Sequence, residues 1–393
     1  MLRSAEPRYE IPEYSLTGDL LSFLNCGLQY RNNCRGSLPP AKPVQMWFGE
    51  FIHGVMHEAY MRWQQEKTFR KFPWDWDPRV REIEAMINRR LWSKGLNPTP
   101  RLYCPYDSSQ TRQGLCPDAK HPHKLIASIR AELSINTWGQ HIFPLIEEPE
   151  VRLKGIREMP NYAPSRSRCD YYGITGIADV ISSVNLRRSP PGNLLLHFLE
   201  QTPSVNSIIN KNDTDDYEIL IDYKGMRRPA TTTPSWDHHS WQLLTYAWLR
   251  SKQPDARRAI AGVVLYLNEL APSQGDFEDM RDDMTANRTD IAPSGGDLKS
   301  VKAWKKGSEL PSLSTTLCER RSIRIIPVTE DAVNSAIANF DGVVDRIEGH
   351  VLQERTGSPI SRCWPCNPID RTCTACDFKT HCPGTGGYHP TVP

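Results

Sequence analysis

Apolar residues recur at helical spacing over residues 47–63, and Ile83, Ile87 and Leu91 repeat the spacing further on. Both stretches read as helices, and residues 14–60 as a whole read as helical. Residues 97–123 are dense in Pro, Gly and polar side chains and read as loop. β-Branched patterns predict strands over 128–135 and 150–153, and stronger ones over 174–184 and 217–223. The stretch between the last two, 185–216, reads as an extended hairpin excursion. A helix follows over 235–249 and an apolar strand over 259–267. The polar segment 272–307 reads as a mobile loop or lid. An amphipathic helix is predicted over 329–352, with Val333, Ile337, Phe340, Val344 and Ile347 on its apolar side.

This is an interrupted α/β pattern. It divides into an N-terminal helical part (1–61), an insertion of helix and loop (62–148), an α/β core (149–271), a loop insertion (272–326) and a C-terminal helix with a Cys-rich tail (327–393). The 393 residues suffice for a large core and two or three lobes. A net charge of +2 means that any nucleic-acid surface is local, which argues against a protein that coats DNA passively. The first fifteen residues lack the apolar centre of a signal peptide, and no apolar run is long enough to span a bilayer. The expected setting is cytoplasmic, with no membrane partner. In that reducing compartment the eleven cysteines are expected as metal ligands or buried thiols rather than disulfides.

The chemistry centres on an apolar run, residues 218–224, that ends in Asp222, Tyr223 and Lys224. Residues two apart on a strand share a face, so Asp222 and Lys224 aim at one point. A carboxylate and an ammonium so placed can hold a divalent cation beside a polarised water, or form a solvated strand end. Asp179 is a lone acid within Gly176–Ile181, where a buried carboxylate needs a cation or an Arg or Lys partner. Oxygen-rich sites of this kind suit Mg2+ or Mn2+. His53 lies among Phe51, Ile52 and Val55, as a core histidine or a nitrogen ligand. His57 follows one turn later, but no zincin glutamate is correctly placed, which discounts a protease. Gln242 and Tyr246, four residues apart, share a helix face.

Cys373, Cys376 and Cys382 form a compact trio near the end of the sequence, and Cys26 can supply a fourth thiolate. That set suits a cubane iron–sulfur cluster. The rival is a zinc knuckle of Cys363, Cys366, Cys373 and Cys376, whose inner loop of six residues is tight for zinc. A second candidate zinc set is Cys104, Cys116, His121 and His123.

These residues, in this order, resemble the RecB-like PD-(D/E)XK nucleases that carry a four-cysteine iron–sulfur cluster. That branch includes the CRISPR-associated exonucleases and the AddB-type nuclease subunits. The matching elements are Cys26, His53, Gly176 with Asp179, Asp222 with Lys224, Gln242 with Tyr246, and Cys373, Cys376 and Cys382. The resemblance implies a restriction-endonuclease-like mixed sheet flanked by helices, with helical and loop insertions. It implies that His53, Asp179, Asp222 and the Tyr223 carbonyl hold Mn2+ or Mg2+, that Lys224 is catalytic, and that Gln242 and Tyr246 support the site. It further implies a [4Fe-4S] cluster on the four cysteines. Glu150 matches a family position only loosely.

The expected activity is metal-dependent hydrolysis of DNA, exonucleolytic or end-processing, with preference for single strands. Expected partners are DNA and a CRISPR-adaptation, helicase or other defence or repair complex. Arg227, Arg228, Lys305 and Lys306 are candidate backbone contacts, and Trp236 and Trp241 candidate base-stacking groups. No phosphate-binding helicase loop is present, which excludes a fused helicase–nuclease. Two alternatives use the same residues: a DNA-binding assembly subunit with a vestigial site, and a zinc-stabilised adaptor.

Overall fold

The computed structural model describes residues 11–35, 44–105, 124–165, 167–185, 192–210, 214–368, 373–374 and 376–385. Its centre is a mixed open sheet of six strands: β1 (Glu13–Ser15), β2 (Ile146–Glu158), β3 (Tyr171–Asn185), β4 (Asp216–Lys224), β5 (Ala259–Tyr266) and β6 (Ile323–Pro327). β2 runs antiparallel along most of β3. The other edge of β3 is shared. β4 pairs antiparallel from Val180 to Asn185, and β1 pairs parallel from Gly173 to Thr175. β5 lies parallel to β4, and β6 closes the order antiparallel to β5. β4 and β5 are buried along nearly their whole length, which is why they read as continuous apolar runs.

Helices cover both faces. The helices in chain order are α1 (Leu21–Asn25), α2 (Gly27–Arg35), α3 (Val44–Gln65), α4 (Arg81–Ser93), α5 (Ile126–Ser134), α6 (Leu194–Glu200), α7 (Pro203–Asn210), α8 (Pro234–Ser251), α9 (Gln274–Thr285), α10 (Gly295–Ala303), α11 (Thr315–Ser322) and α12 (Glu330–Arg355). On one face Trp47, Phe51 and Val55 of α3 pack with Ile83 and Ile87 of α4 against Ile219, Ile221 and Val263. On the other, Leu243 and Tyr246 of α8 and Phe340 and Val344 of α12 pack against Ile174, Leu220 and Val264. α12 forms where the apolar stripe predicts. Thr329 caps it by accepting from the Ala332 N–H, and Glu330 and Asp331 sit in its first turn, where the helix dipole favours acids.

α8 lies unusually close to the sheet because glycines face it. A Cβ on Gly176 would come within 2.4 Å of Tyr246 Cε1, and one on Gly262 within 2.7 Å of Leu243 Cβ. Both glycines are explained by backbone approach, not by turn geometry.

Three predicted elements differ. The stretch 128–135 is helical in α5 and the helical turn Ile135–Gly139 that follows, since Ala127, Ala131 and Ile135 bury one helical face under α3 and α4. Its isoleucines resemble a strand pattern only when that i, i+4 repeat is overlooked. The excursion 185–216 contains α6 and α7; the Asn193 side chain caps α6 by accepting from the Leu196 N–H. The polar segment 272–307 contains α9 and α10, which enclose a satellite core of Phe277, Met280, Val301 and Trp304. Ser273 and Asp276 start α9 with a reciprocal capping box, a signal that polar composition concealed.

Candidate active site and thiol cavity

The β3–β4 ladder runs from Asn185↔Asp216 to Val180↔Ile221, and one step further Asp179 would face Asp222. There the two strands part. The Asp179 side chain, not its backbone, takes up the next donor: Tyr223 N–H donates to Asp179 Oδ2 at 2.8 Å. The same oxygen lies 3.1 Å from His53 Nδ1 on α3. The gap in β3 between its β4 and β1 partners thus contains the acid singled out in sequence.

Asp222 and Lys224 do share a face, with Lys224 Nζ 2.8 Å from Asp222 Oδ2. Lys224 Nζ also donates to Gln242 Oε1 at 2.9 Å, while Gln242 Nε2 donates to Asp222 Oδ1 and Tyr246 Oη, both at 3.2 Å. Gln242 therefore orients acid and amine together. Asp222 is 3% exposed, and its Oδ2 lacks an aligned hydrogen bond although Lys224 is within ion-pair distance. Lys224 is the partner of that buried oxygen.

The two acids reach the opening from opposite helices, Asp179 towards α3 and Asp222 towards α8. Burial raises the Asp222 pKa above the usual carboxylate value, against the pull of Lys224, and the charge of Asp179 raises it further. For Asp179, burial acts in the same upward direction, but the charge and hydrogen bond of His53, then the Tyr223 N–H, hold it below its ordinary value. Burial disfavours the His53 imidazolium, yet Asp179 outweighs it and lifts His53 to about 9.

His53, Asp179 and Tyr223 also line a small crevice with His57 and Glu150. Glu150 sits across the β2–β3 pair from Asp179 at φ 51°, a left-handed conformation that costs a non-glycine residue about 1–2 kcal/mol. Its carboxylate is 3.8 Å from His57 Nδ1, a buried atom with no hydrogen bond. The H-x-x-x-H spacing suggested zinc, and the strain at Glu150 has no sequence signal.

Two carboxylates and an imidazole are the donor set of a hard divalent cation. Among the described residues, however, no three such side chains already surround one ion position. Loading a cation requires the side chains to shift and the His53–Asp179 proton to leave.

The candidate backbone contacts fare differently. Arg228 is corrected: it is 3% exposed, with Nε and Nη2 on Asp290 and Nη1 on the carbonyls of Arg321 and Ile323. Its donors are committed inside the fold. Arg227 is tied to Asp279 at 3.0 Å and Asp283 at 2.7 Å. Lys306 is exposed and paired with Glu278, and Lys305 is exposed beside it. Both lysines lie far along the insertion, beyond α10. Trp241 is a packing residue whose indole N–H donates to Ala336 O at 2.7 Å. Trp236 lies under Arg324, with 3.4 Å between guanidinium and ring centre.

Cys26, Cys366, Cys373, Cys376 and Cys382 line a single cavity that shares no residue with the strand opening. Cys26 interrupts the α1–α2 helical run in an extended conformation. Segments from either end of the described chain also contact each other there. Leu28 N–H donates to Pro365 O at 2.9 Å, Arg31 pairs with Glu354, and Trp364 packs on Phe23 and Tyr30. Burial, then neighbouring thiols, raises the Cys366 pKa. The tail trio is folded by short turns, Cys376 N to Cys373 O and Cys382 N to Lys379 O.

Cys363 lies outside this cavity, 5% exposed, its thiol donating to Ser358 O and Ile360 O. The knuckle pairing Cys363 with Cys366 is therefore corrected. Cys366 was missed as a neighbour of the Cys26 set; its pairing by C-x2-C spacing pointed elsewhere. A single ion would need sulfurs roughly 3.8 Å apart, and no three side chains are so placed among the described residues. Of the other zinc candidates, Cys104 is buried, and Cys116, His121 and His123 lie outside the described residues.

No helix among the described residues is long and apolar enough to cross a membrane. No protein-family model matches the chain, and no curated protein matches it as a relative.

Proposed function

We propose that this protein is a Mg2+- or Mn2+-dependent deoxyribonuclease with a restriction-endonuclease-like, RecB-related core and a [4Fe-4S] cluster at the joined chain ends. The observation that carries the reading is the opening between β3 and β4, where Asp179 and Asp222 lie within electrostatic reach of each other beside a Lys224 held by Gln242. A structural ion pair alone would not need the strands to part there.

His53, Asp179, Asp222 and the Tyr223 carbonyl would hold the cation. Bound there, it supplies Lewis acidity to a phosphate and a water of lowered pKa. Lys224 would neutralise charge developing on the phosphoryl oxygens, and Gln242 limits its ammonium to one direction. Tyr246, seated against Gly176, fixes the helix that carries Gln242. A water oxygen would bond to phosphorus and lose a proton to solvent, while the bond to the sugar 3′-oxygen breaks and that oxygen takes up a proton, leaving a 5′-phosphate end. Cys26, Cys373, Cys376 and Cys382 would hold the cluster as a structural clamp, with Cys366 as a fifth thiol beside it.

The test is a time course on end-labelled single- and double-stranded DNA, with RNA alongside, in Mn2+, Mg2+ or chelator. Metal-dependent cutting by the parent that disappears in Asp222→Asn and Lys224→Ala supports the reading. Equal cutting in all three, or none in any, sinks it. Iron with visible absorbance supports the cluster; stoichiometric zinc in a colourless protein favours an adaptor.

A further inference from the structure

Arg324 of β6 stands in one row with Asp222: Asp222 pairs with Val264 of β5, and Val264 with Arg324. Residues paired directly across a ladder share a face, and two strand spacings separate these by about 10 Å. Arg324 thus lies on the α8 side of the sheet, as Asp222 and Lys224 do.

Its guanidinium is stacked on Trp236 and donates to Trp236 O and Ser240 Oγ, at 2.7 Å each. The Tyr266 hydroxyl is a further hydrogen-bond partner, and all of these groups are uncharged. Among the described residues, Arg324 has no carboxylate at ion-pair distance. Asp290 acts on it from further away, but both Asp290 oxygens are bound by Arg228, and the Arg228 charge repels it. A half-buried guanidinium in that position lacks an anion, and desolvated charges of this kind are normally paired.

His239 lies within electrostatic reach of both Arg324 and Lys224. Burial first, then those two cations, depress it to about 3, and its Nδ1 lies 3.0 Å from Tyr266 Oη. The result is two cations with a neutral imidazole near both, on the α8 side of the sheet. A planar guanidinium fork fixed by stacking suits a phosphate better than a lysine does.

We propose that Arg324 anchors a phosphodiester of the bound strand that flanks the one being cut. This deepens the nuclease reading and rests on it. Arg324 acts as a positioning residue, away from the reacting atoms.

The test uses the full chain carrying Asp222→Asn, so that binding is measured without cutting. The probe is a fluorescein-labelled single-stranded oligothymidylate, followed by anisotropy from low to moderate salt. Adding Arg324→Gln is expected to weaken binding about 10-fold and to reduce the salt slope by about 0.7, the loss of one phosphate contact on a single strand. In the cutting protein the same change is expected to raise KM about 10-fold and leave kcat within about 2-fold. Unchanged affinity and slope overturn the anchor. If Arg324→Gln fails to fold, Arg324→Lys decides: weaker binding at an unchanged melting temperature supports the fork, and unchanged binding overturns it. Probes with and without a 5′-phosphate separate the sources. Equal losses support an internal diester, and a loss confined to the phosphorylated probe overturns it in favour of a terminal phosphate. A parent that neither binds nor cuts sinks this inference and the nuclease reading together. A parent that cuts while Arg324→Gln matches it sinks this inference alone.

Discussion

The strand opening and the thiol cavity are built by opposite means. At the opening, Asp179 and Asp222 belong to adjacent strands whose register brings them together, and Lys224 and Gln242 follow within 20 residues of Asp222. The cavity draws Cys26 from one end and Cys366, Cys373, Cys376 and Cys382 from the other. One site sits on a scaffold that stands without it. The other coincides with the place where the chain ends are joined. Loss of a side chain should therefore remove chemistry from the first and stability from the second.

The largest effect expected at the opening is kinetic. Asp222→Asn should reduce cutting on the order of 10³-fold, comparable to loss of a key electrostatic group, with a melting temperature within a few degrees of the parent. A large fall in melting temperature would break the contrast by making Asp222 structural. At the cavity, Cys26→Ser should remove the visible absorbance and cost up to about 4 kcal/mol in a urea titration. That figure is the upper end of the usual stabilisation by a covalent cross-link. Survival of both absorbance and stability would show that Cys26 holds nothing.

Gly176→Val tests the scaffold beneath the opening. The added carbons meet the Tyr246 ring, and overpacking of this kind costs about 1–3 kcal/mol. Activity should fall with it because Gln242 moves with the helix.

A smaller effect lies in pH. The His53 pKa is raised in the fold, so its pairing with Asp179 stabilises metal-free protein fully below about 6.5, and this contribution is lost as pH rises through about 9. Metal-free melting temperature should decline over that window, and His53→Gln should flatten the decline. Metal binding needs the neutral ring, so it should release a proton and strengthen over the same window. The smallest change expected is for Cys366→Ser, where four cavity thiols remain and iron content should hold. Loss of iron would show that Cys366 is a ligand in place of one of the four.

Much of the sheet was legible because β3, β4 and β5 are apolar runs of strand length, and α12 because its stripe is unambiguous. The D-x-K pair was legible because a strand has a period of two. Helices α9 and α10 were not. Their apolar contacts are few, and they pack mainly on each other. Arg228 looked like a surface cation because it follows Arg227 just beyond a strand end. Only the placement of Asp290, 62 residues later, shows that it is buried and paired. Arg324 carried no signal, since it is the register of β6 that aligns it with Asp222.

The sequence alone determined which residues can do chemistry and which face each occupies on its own strand or helix. Those properties depend on side-chain type and on the local period of the backbone. Tertiary structure decided which charges are spent on each other, where the strands part around Asp179, and which thiols share a cavity. Those outcomes depend on contacts between segments far apart in the chain, and no local pattern encodes them.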